Sequence, residues 1–221
     1  MAGNQVAVRS LGLRSALDRA GLVVCLAIGI VLGLGFATTS LRPIDGDLYW
    51  RAGHAAHYYG TTWGADPNSW YIYPPPLAQI LGVIDWHVFM VLWMPLVFLA
   101  FWVATRWWSL VVLGVGIVAI MITGFDNPLA NPVALAGIGN AQTLVAAAIV
   151  LGLRWPAAWA FVFLTKIGPG IWVLWYAARG EWRNLAIALG STLLLLGVSL
   201  ALAPDAWADF VRFAASNAGS R

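Results

Sequence analysis

One cysteine, one lysine and a charged fraction of only 10% are what this chain has least of. A lone thiol, Cys25, closes no internal disulfide and offers no metal-ligand spacing. Phosphate-cradling glycine loops, a nucleophile elbow and a zincin pattern are all missing, which disfavours chemistry on a soluble nucleotide donor. Internal repeats and low-complexity stretches are missing too. The formal net charge of +3 is too small to argue for nucleic acid, so the placement of the basic residues reports orientation instead.

What the chain has in abundance is apolar surface. Hydrophobic residues make up 61% of its 221 positions, 14 of them Trp, and the mean hydropathy is +0.80. A single soluble core cannot hide that much. The apolar runs are continuous rather than alternating, which indicates membrane helices and not a barrel. Arg9, Arg14 and Arg19 precede the first run, residues 20–37, which is longer than the core of a signal peptide and reads as a retained anchor.

The basic residues set the path. With the N-terminus cytoplasmic, full spans are expected at 20–39, 86–105, 107–124, 140–153 and 184–203, all but the fourth near the length that crosses a bilayer. Pro95 kinks the second, and Arg106 with Trp107 and Trp108 ends it at an interface. Residues 155–178 form a broken helix pair, divided at Lys166, Gly168, Pro169 and Gly170, because a hairpin keeps Arg179 and Arg183 on the inner side. Such a break is tolerated only where protein or water satisfies the freed backbone. Residues 76–84 are too short to cross and read as a surface or re-entrant helix. The tail from 204 lies along the outer interface, with Trp207, Phe210, Val211 and Ala214 on one face and Asp205, Asp209, Arg212 and Ser216 on the other. The fold class is therefore all-α: one transmembrane domain over 1–221, a polytopic bundle of about five full spans plus the broken pair and interfacial helices. Its outer loops are 41–76 and 125–139, the second carrying Asp126, Pro128 and Pro132.

Chemistry concentrates in the first outer loop. Asp45 and Asp47 follow the first span in LRPIDGDLYW. A helix over 48–59 would put Asp47, Arg51, His54 and Tyr58 on one face. Asp47 is then either an N-cap paired with Arg51 or a catalytic carboxylate, and Asp45 either a turn residue before Gly46 or a second acid. His54 and His57 suit interfacial packing better than a metal, since no third ligand accompanies them. Tyr71 and Tyr73, before three prolines, offer hydroxyls and ring faces to a sugar or simply belt the interface. Asn140 and Gln142 either bind sugar hydroxyls or cap the fourth span. Lys166 lies between apolar half-segments, where an ammonium needs an anionic partner unless it snorkels.

Taken in order, IDGDLYWRAGHAAHYYG, WYIYPPPLAQIL, GIGNAQTLVAAAIVLGL and LTKIGPGIWVLWYAARGEWR resemble glycosyltransferase family 87 over residues 20–215. Its members are polyprenol-phosphate-mannose-dependent α-(1→2)-mannosyltransferases of the GT-C superfamily. The resemblance implies a GT-C fold of which this chain holds the N-terminal half. It also implies inverting transfer of mannose or a related sugar at the outer face of the cell membrane. Asp47 would be the general base with Asp45 second, and Lys166, followed by Pro169, would lie near the lipid phosphate. Arg51, His54, Tyr71, Tyr73, Asn140 and Gln142 would line the substrate site, although the family's Gly-Gln-x-Asn motif has its amides exchanged in Gly139-Asn140-Ala141-Gln142. The implied partners are a polyprenyl-phosphate sugar donor, a glycolipid or glycan acceptor and membrane lipids, and nucleic acid is not among them. No cofactor or metal is implied, a divalent cation being the one addition left open. Two other readings compete: a non-catalytic lipid or solute carrier built on the break at Lys166, and an inactive half-protein.

Overall fold

A computed structural model describes residues 2–60, 71–124 and 131–218. Expectations placed on 61–70, and on Asp126 and Pro128, lie outside the described residues. Every regular element among them is helical. Three stretches are long and apolar enough to cross a membrane: Gly12–Thr38, Trp86–Thr123 and Trp182–Leu202. The chain forms two compact units, Met1–Leu41 with Met90–Ala147, and Arg42–Phe89 with Ala148–Arg221.

The first unit is built on α1 (Ala2–Thr38) lying antiparallel to α4 (Trp86–Thr105). Glycines let the two backbones touch. A Cβ on Gly29 would stand 2.7 Å from the Cα of Pro95, and one on Gly33 would stand 2.7 Å from the Met90 carbonyl oxygen. At the other end Trp102 Nε1 donates to the Asp18 carbonyl at 2.9 Å, and Arg106 Nη2 meets Asp18 Oδ2 at 2.9 Å.

The apolar stretch Trp86–Thr123 does not run straight. After α4 comes a 3₁₀ turn, Arg106–Trp108, and then α5 (Ser109–Thr123). Trp93 Nε1 donates to the Gly139 carbonyl, while Asn131 Nδ2 donates to the Gly116 carbonyl. Residues 131 and 139 are joined by the short helix α6 (Pro132–Gly137), about 9 Å long at the helical rise. A straight helix would hold residues 93 and 116 about 34 Å apart, too far for that link. The chain therefore reverses at Arg106, giving two antiparallel arms.

The reversal places Arg106 at φ +53°, a left-handed conformation that costs a non-glycine residue about 1–2 kcal/mol. The ion pair with Asp18 and the Trp102 ring 4.3 Å beneath the guanidinium hold it there. Arg106→Ala keeps the strain and loses both contacts, whereas Arg106→Gly loses the contacts but relieves the strain. The alanine variant should therefore melt below the glycine variant in detergent by an amount worth about 1 kcal/mol. Equal or reversed melting temperatures would remove strain from the account.

The second unit begins with α2 (Ile44–His54) and α3 (Pro75–Leu81), which cross where Gly53 meets Gly82. It continues from the end of α7 (Gln142–Gly152) into α8 (Trp159–Thr165), α9 (Ile167–Gly170), α10 (Leu174–Ala178), α11 (Trp182–Leu202) and α12 (Pro204–Ala218). The bend expected at Gly168-Pro169-Gly170 falls instead at Lys166, which is extended at φ −149°, ψ 103°. Pro169 has no N–H for the Thr165 carbonyl and its ring would crowd that oxygen, so α8 stops at Thr165. Gly-Pro-Gly then forms a helical turn of its own, where a proline in the first turn is harmless. The return leg is fixed by the Tyr176 hydroxyl donating to the Gly152 carbonyl, which brings α10 back to the end of α7.

The amphipathic tail helix, α12, spends its apolar face on the protein. Phe213 stacks on Tyr59 at 5.3 Å and Phe210 lies 5.6 Å from the same ring, while Val211 remains exposed. The half-buried face is thus Trp207, Phe210 and Phe213, whereas Val211 and Ala214 of the expected face are exposed.

Candidate functional site

The helix carrying both candidate carboxylates starts earlier and ends earlier than its sequence pattern indicates. Pro43 precedes α2 in an extended conformation, and a proline there presets the entry to a helix without needing an N–H. Asp45 and Asp47 fall in the first turn, where the unsatisfied N–H groups favour negative charge. Neither is the cap. His54 ends the helix, so Tyr58 does not share its face.

Asp47 is 8% exposed, and both its oxygens are held. Arg42 Nη1 approaches Oδ1 at 2.8 Å and Arg51 Nε approaches Oδ2 at 2.6 Å. A carboxylate this far from water needs such pairing. Arg42 Cζ itself lies over the Trp86 ring, 4.0 Å from its centroid, a contact of about 0.5–2 kcal/mol. The cluster of one carboxylate and two guanidinium groups is net positive, and both arginines stay more than a third exposed. Arg42, Trp50 and Trp86 are functional candidates that spacing did not single out. The available signal was a basic residue just before the proline that opens α2.

Asp45 lies close enough to Tyr73 for its charge to act on that phenol. Burial is the main cause that raises the Tyr73 pKa, opposed by the hydrogen bond from Tyr49 and reinforced by Asp45. The Tyr49 and Tyr73 hydroxyls are 3.1 Å apart, with their rings edge to face. Tyr71 is 1% exposed, and its hydroxyl donates to the Pro74 carbonyl and accepts from the Ala78 N–H. Burial raises its pKa well above the ordinary value. These phenols stay neutral, and their hydroxyls bind the loop to α3 through Tyr71 and to α2 through Tyr73.

The remaining candidates are dispersed. His54 stacks on Trp50 at 4.2 Å, with Nδ1 2.9 Å from the Trp50 carbonyl oxygen. His57 instead faces Asp209 of α12 at 3.6 Å. Asn140 belongs to the first unit, and its Oδ1 accepts from the Gln142 N–H at 2.7 Å, the geometry of an N-cap on α7. Gln142 is the half-buried first residue of that helix.

Lys166 is half-buried at the break after α8 and has no ion-pair or side-chain hydrogen-bond partner among the described residues. Thr165, just before it, lines an apolar groove of ≈ 460 Å³ between α3, α8 and the C-terminal half of α11. Leu77, Ile80, Phe161, Leu164, Leu195 and Leu202 form most of the wall. A polar knot closes one side: Gln79 Nε2 donates to the Ser199 carbonyl, Ser199 Oγ donates to Gln79 Oε1 at 2.7 Å, and Trp207 Nε1 donates to Ser199 Oγ. The arrangement suits an amphiphile with a long apolar chain and an anionic head. No protein-family model, curated protein or solved structure matches this chain.

Proposed function

We propose that the chain is a membrane glycosyltransferase of the GT-C kind, related to glycosyltransferase family 87. It moves mannose or a related sugar from a polyprenyl phosphate to an acceptor hydroxyl at the outer face. In this reading the chain crosses the membrane about five times in full, with α8 to α10 as the broken pair. The observation that carries the proposal is Lys166, unpaired among the described residues and next to Thr165 of an apolar groove, in the same unit as a buried carboxylate. The groove takes the isoprenoid chain and the ammonium takes the phosphate.

The acceptor oxygen attacks C1 of the sugar while its proton passes to Asp47. The bond from C1 to the phosphate oxygen breaks, its electron pair stays on the phosphate, and Lys166 stabilises the charge that grows there. Attack opposite the leaving group inverts the anomeric centre. Because both Asp47 oxygens carry an arginine, proton transfer requires one guanidinium to turn away, and the lipid phosphate gives it a second acceptor to turn to.

Lys166→Gln tests the donor assignment. Losing a charge-assisted contact of about 1.5–3 kcal/mol should raise the KM for a labelled polyprenyl-phosphate mannose by roughly 10–100-fold. An unchanged KM would sink the role of Lys166, and no transfer by the unaltered chain would sink the enzyme. The discontinuity at Lys166 also favours a second reading, a carrier that uses the same break as its binding point. A carrier would move lipid across vesicles with both Asp45 and Asp47 replaced by Asn.

A further inference from the structure

We propose that a cavity at the Glu181 end of α11 binds the headgroup of an anionic phospholipid. The site is separate from the groove: α11 has 21 residues and is about 31 Å long, and the groove lies against its opposite end. The cavity measures ≈ 500 Å³. Ile149 of α7 and Leu153 just beyond it form an apolar wall, Trp172 and Trp175 stand across from them, and Arg179 and Glu181 are at the polar end. Since the membrane-length helix Trp182–Leu202 starts at that polar end, the cavity sits at a boundary between hydrocarbon and water.

Arg179 is built to present its guanidinium. Its Nε donates to Glu181 Oε1 at 2.7 Å, Glu181 Oε2 is occupied by Asn184 Nδ2 at 2.9 Å, and the Trp175 ring lies 5.6 Å from Arg179 Cζ. Asn184 thus fixes Glu181, which orients Arg179, and Arg179 remains 57% exposed. A planar fork held in this way matches the oxygens of a phosphodiester. A second observation points to a ligand. Trp159 lines the same cavity at 1% exposure, and its indole N–H, beside Gly152, has no acceptor among the described residues.

Charge selects the lipid. Arg154 follows the wall residue Leu153, and Arg183 follows Glu181 by two positions; both are exposed. Three arginines against one glutamate favour a headgroup with net negative charge over a zwitterionic one. Basic pockets between helices at a bilayer surface bind anionic lipids in this way.

The test is lipid titration of the purified full chain in detergent, followed by native mass spectrometry. Dioleoyl phosphatidylglycerol should bind about tenfold more tightly than dioleoyl phosphatidylcholine. Measured in the Lys166→Gln background, which removes the ammonium at the groove, Arg179→Gln should bring that ratio close to one. The double variant R179Q/E181Q removes both charges together and leaves none uncompensated. It should lose the preference while melting like the parent chain in lipid-free detergent. Equal binding of the two lipids by the parent chain overturns the proposal, as does a preference that survives both variants. Displacement of the lipid by inorganic phosphate at equal concentration replaces the headgroup with a simple anion site and overturns it as well.

Discussion

Asn in place of Asp47 should lower the proposed sugar transfer by about 10²–10⁴-fold, the usual contribution of a general base, in membranes supplied with labelled polyprenyl-phosphate mannose. The substitution keeps the size of a side chain that is 8% exposed. It leaves Arg42 and Arg51, each more than a third exposed, free to recover water, so α2 stays folded. Its kinetic signature separates two roles. As base, Asp47 is needed only while the proton moves, and its loss falls on kcat. As a mere holder of the arginines, its loss would fall on the KM for the lipid, as should that of Arg42→Gln. Full kcat in Asp47→Asn sinks the assignment. Asp45→Asn decides the alternative, because a larger loss there than at Asp47 would move the base one half-turn earlier.

The second large effect lies in the packing that presents α2. A Cβ on Gly53 would stand 2.7 Å from both the Ala78 carbonyl oxygen and the Gly82 nitrogen, and one on Gly82 would strike the Gly53 carbonyl oxygen. All of these are backbone atoms, which no side-chain rotation can clear. Gly53→Val should therefore destabilise the fold by about 1–3 kcal/mol, the cost of overpacking, and lower transfer with it, since α2 is driven off α3. Gly190→Ala is the control: nothing lies within 4 Å of a Cβ there, so helix propensity should stabilise α11 by up to about 1 kcal/mol. Thermal unfolding in one detergent, read by tryptophan fluorescence, measures both. If Gly53→Val melts with the parent chain, α2 and α3 do not depend on this crossing.

Much of the helical framework is legible in the residues because its causes are local. A run such as 182–202 must be helical in lipid to satisfy its own backbone, and its length alone qualifies it as a span. Pro169 acts on a carbonyl four residues back, so a break near 166–170 is visible before any fold is known, although its exact residue depends on which side of the proline keeps helical geometry. The pairing of Asp47 with Arg51 is equally local, one helical turn apart.

The rest depends on groups that only folding brings together. Tyr71 and Tyr73 look like sugar contacts in a loop, yet α2 and α3 close over them and take up their hydroxyls. The apolar face of α12 has the same pattern whether it meets lipid or protein, and the Tyr59 ring decides for protein. Composition and periodicity determined a helical chain with membrane-length spans, since hydropathy and hydrogen-bond satisfaction act within a segment. Tertiary structure alone decided that Arg42, beside Asp47, packs on Trp86 of α4, that an apolar groove ends beside Lys166, and that Arg179 faces a cavity. Each of those features is a meeting of surfaces from separate helices, which no single stretch of sequence contains.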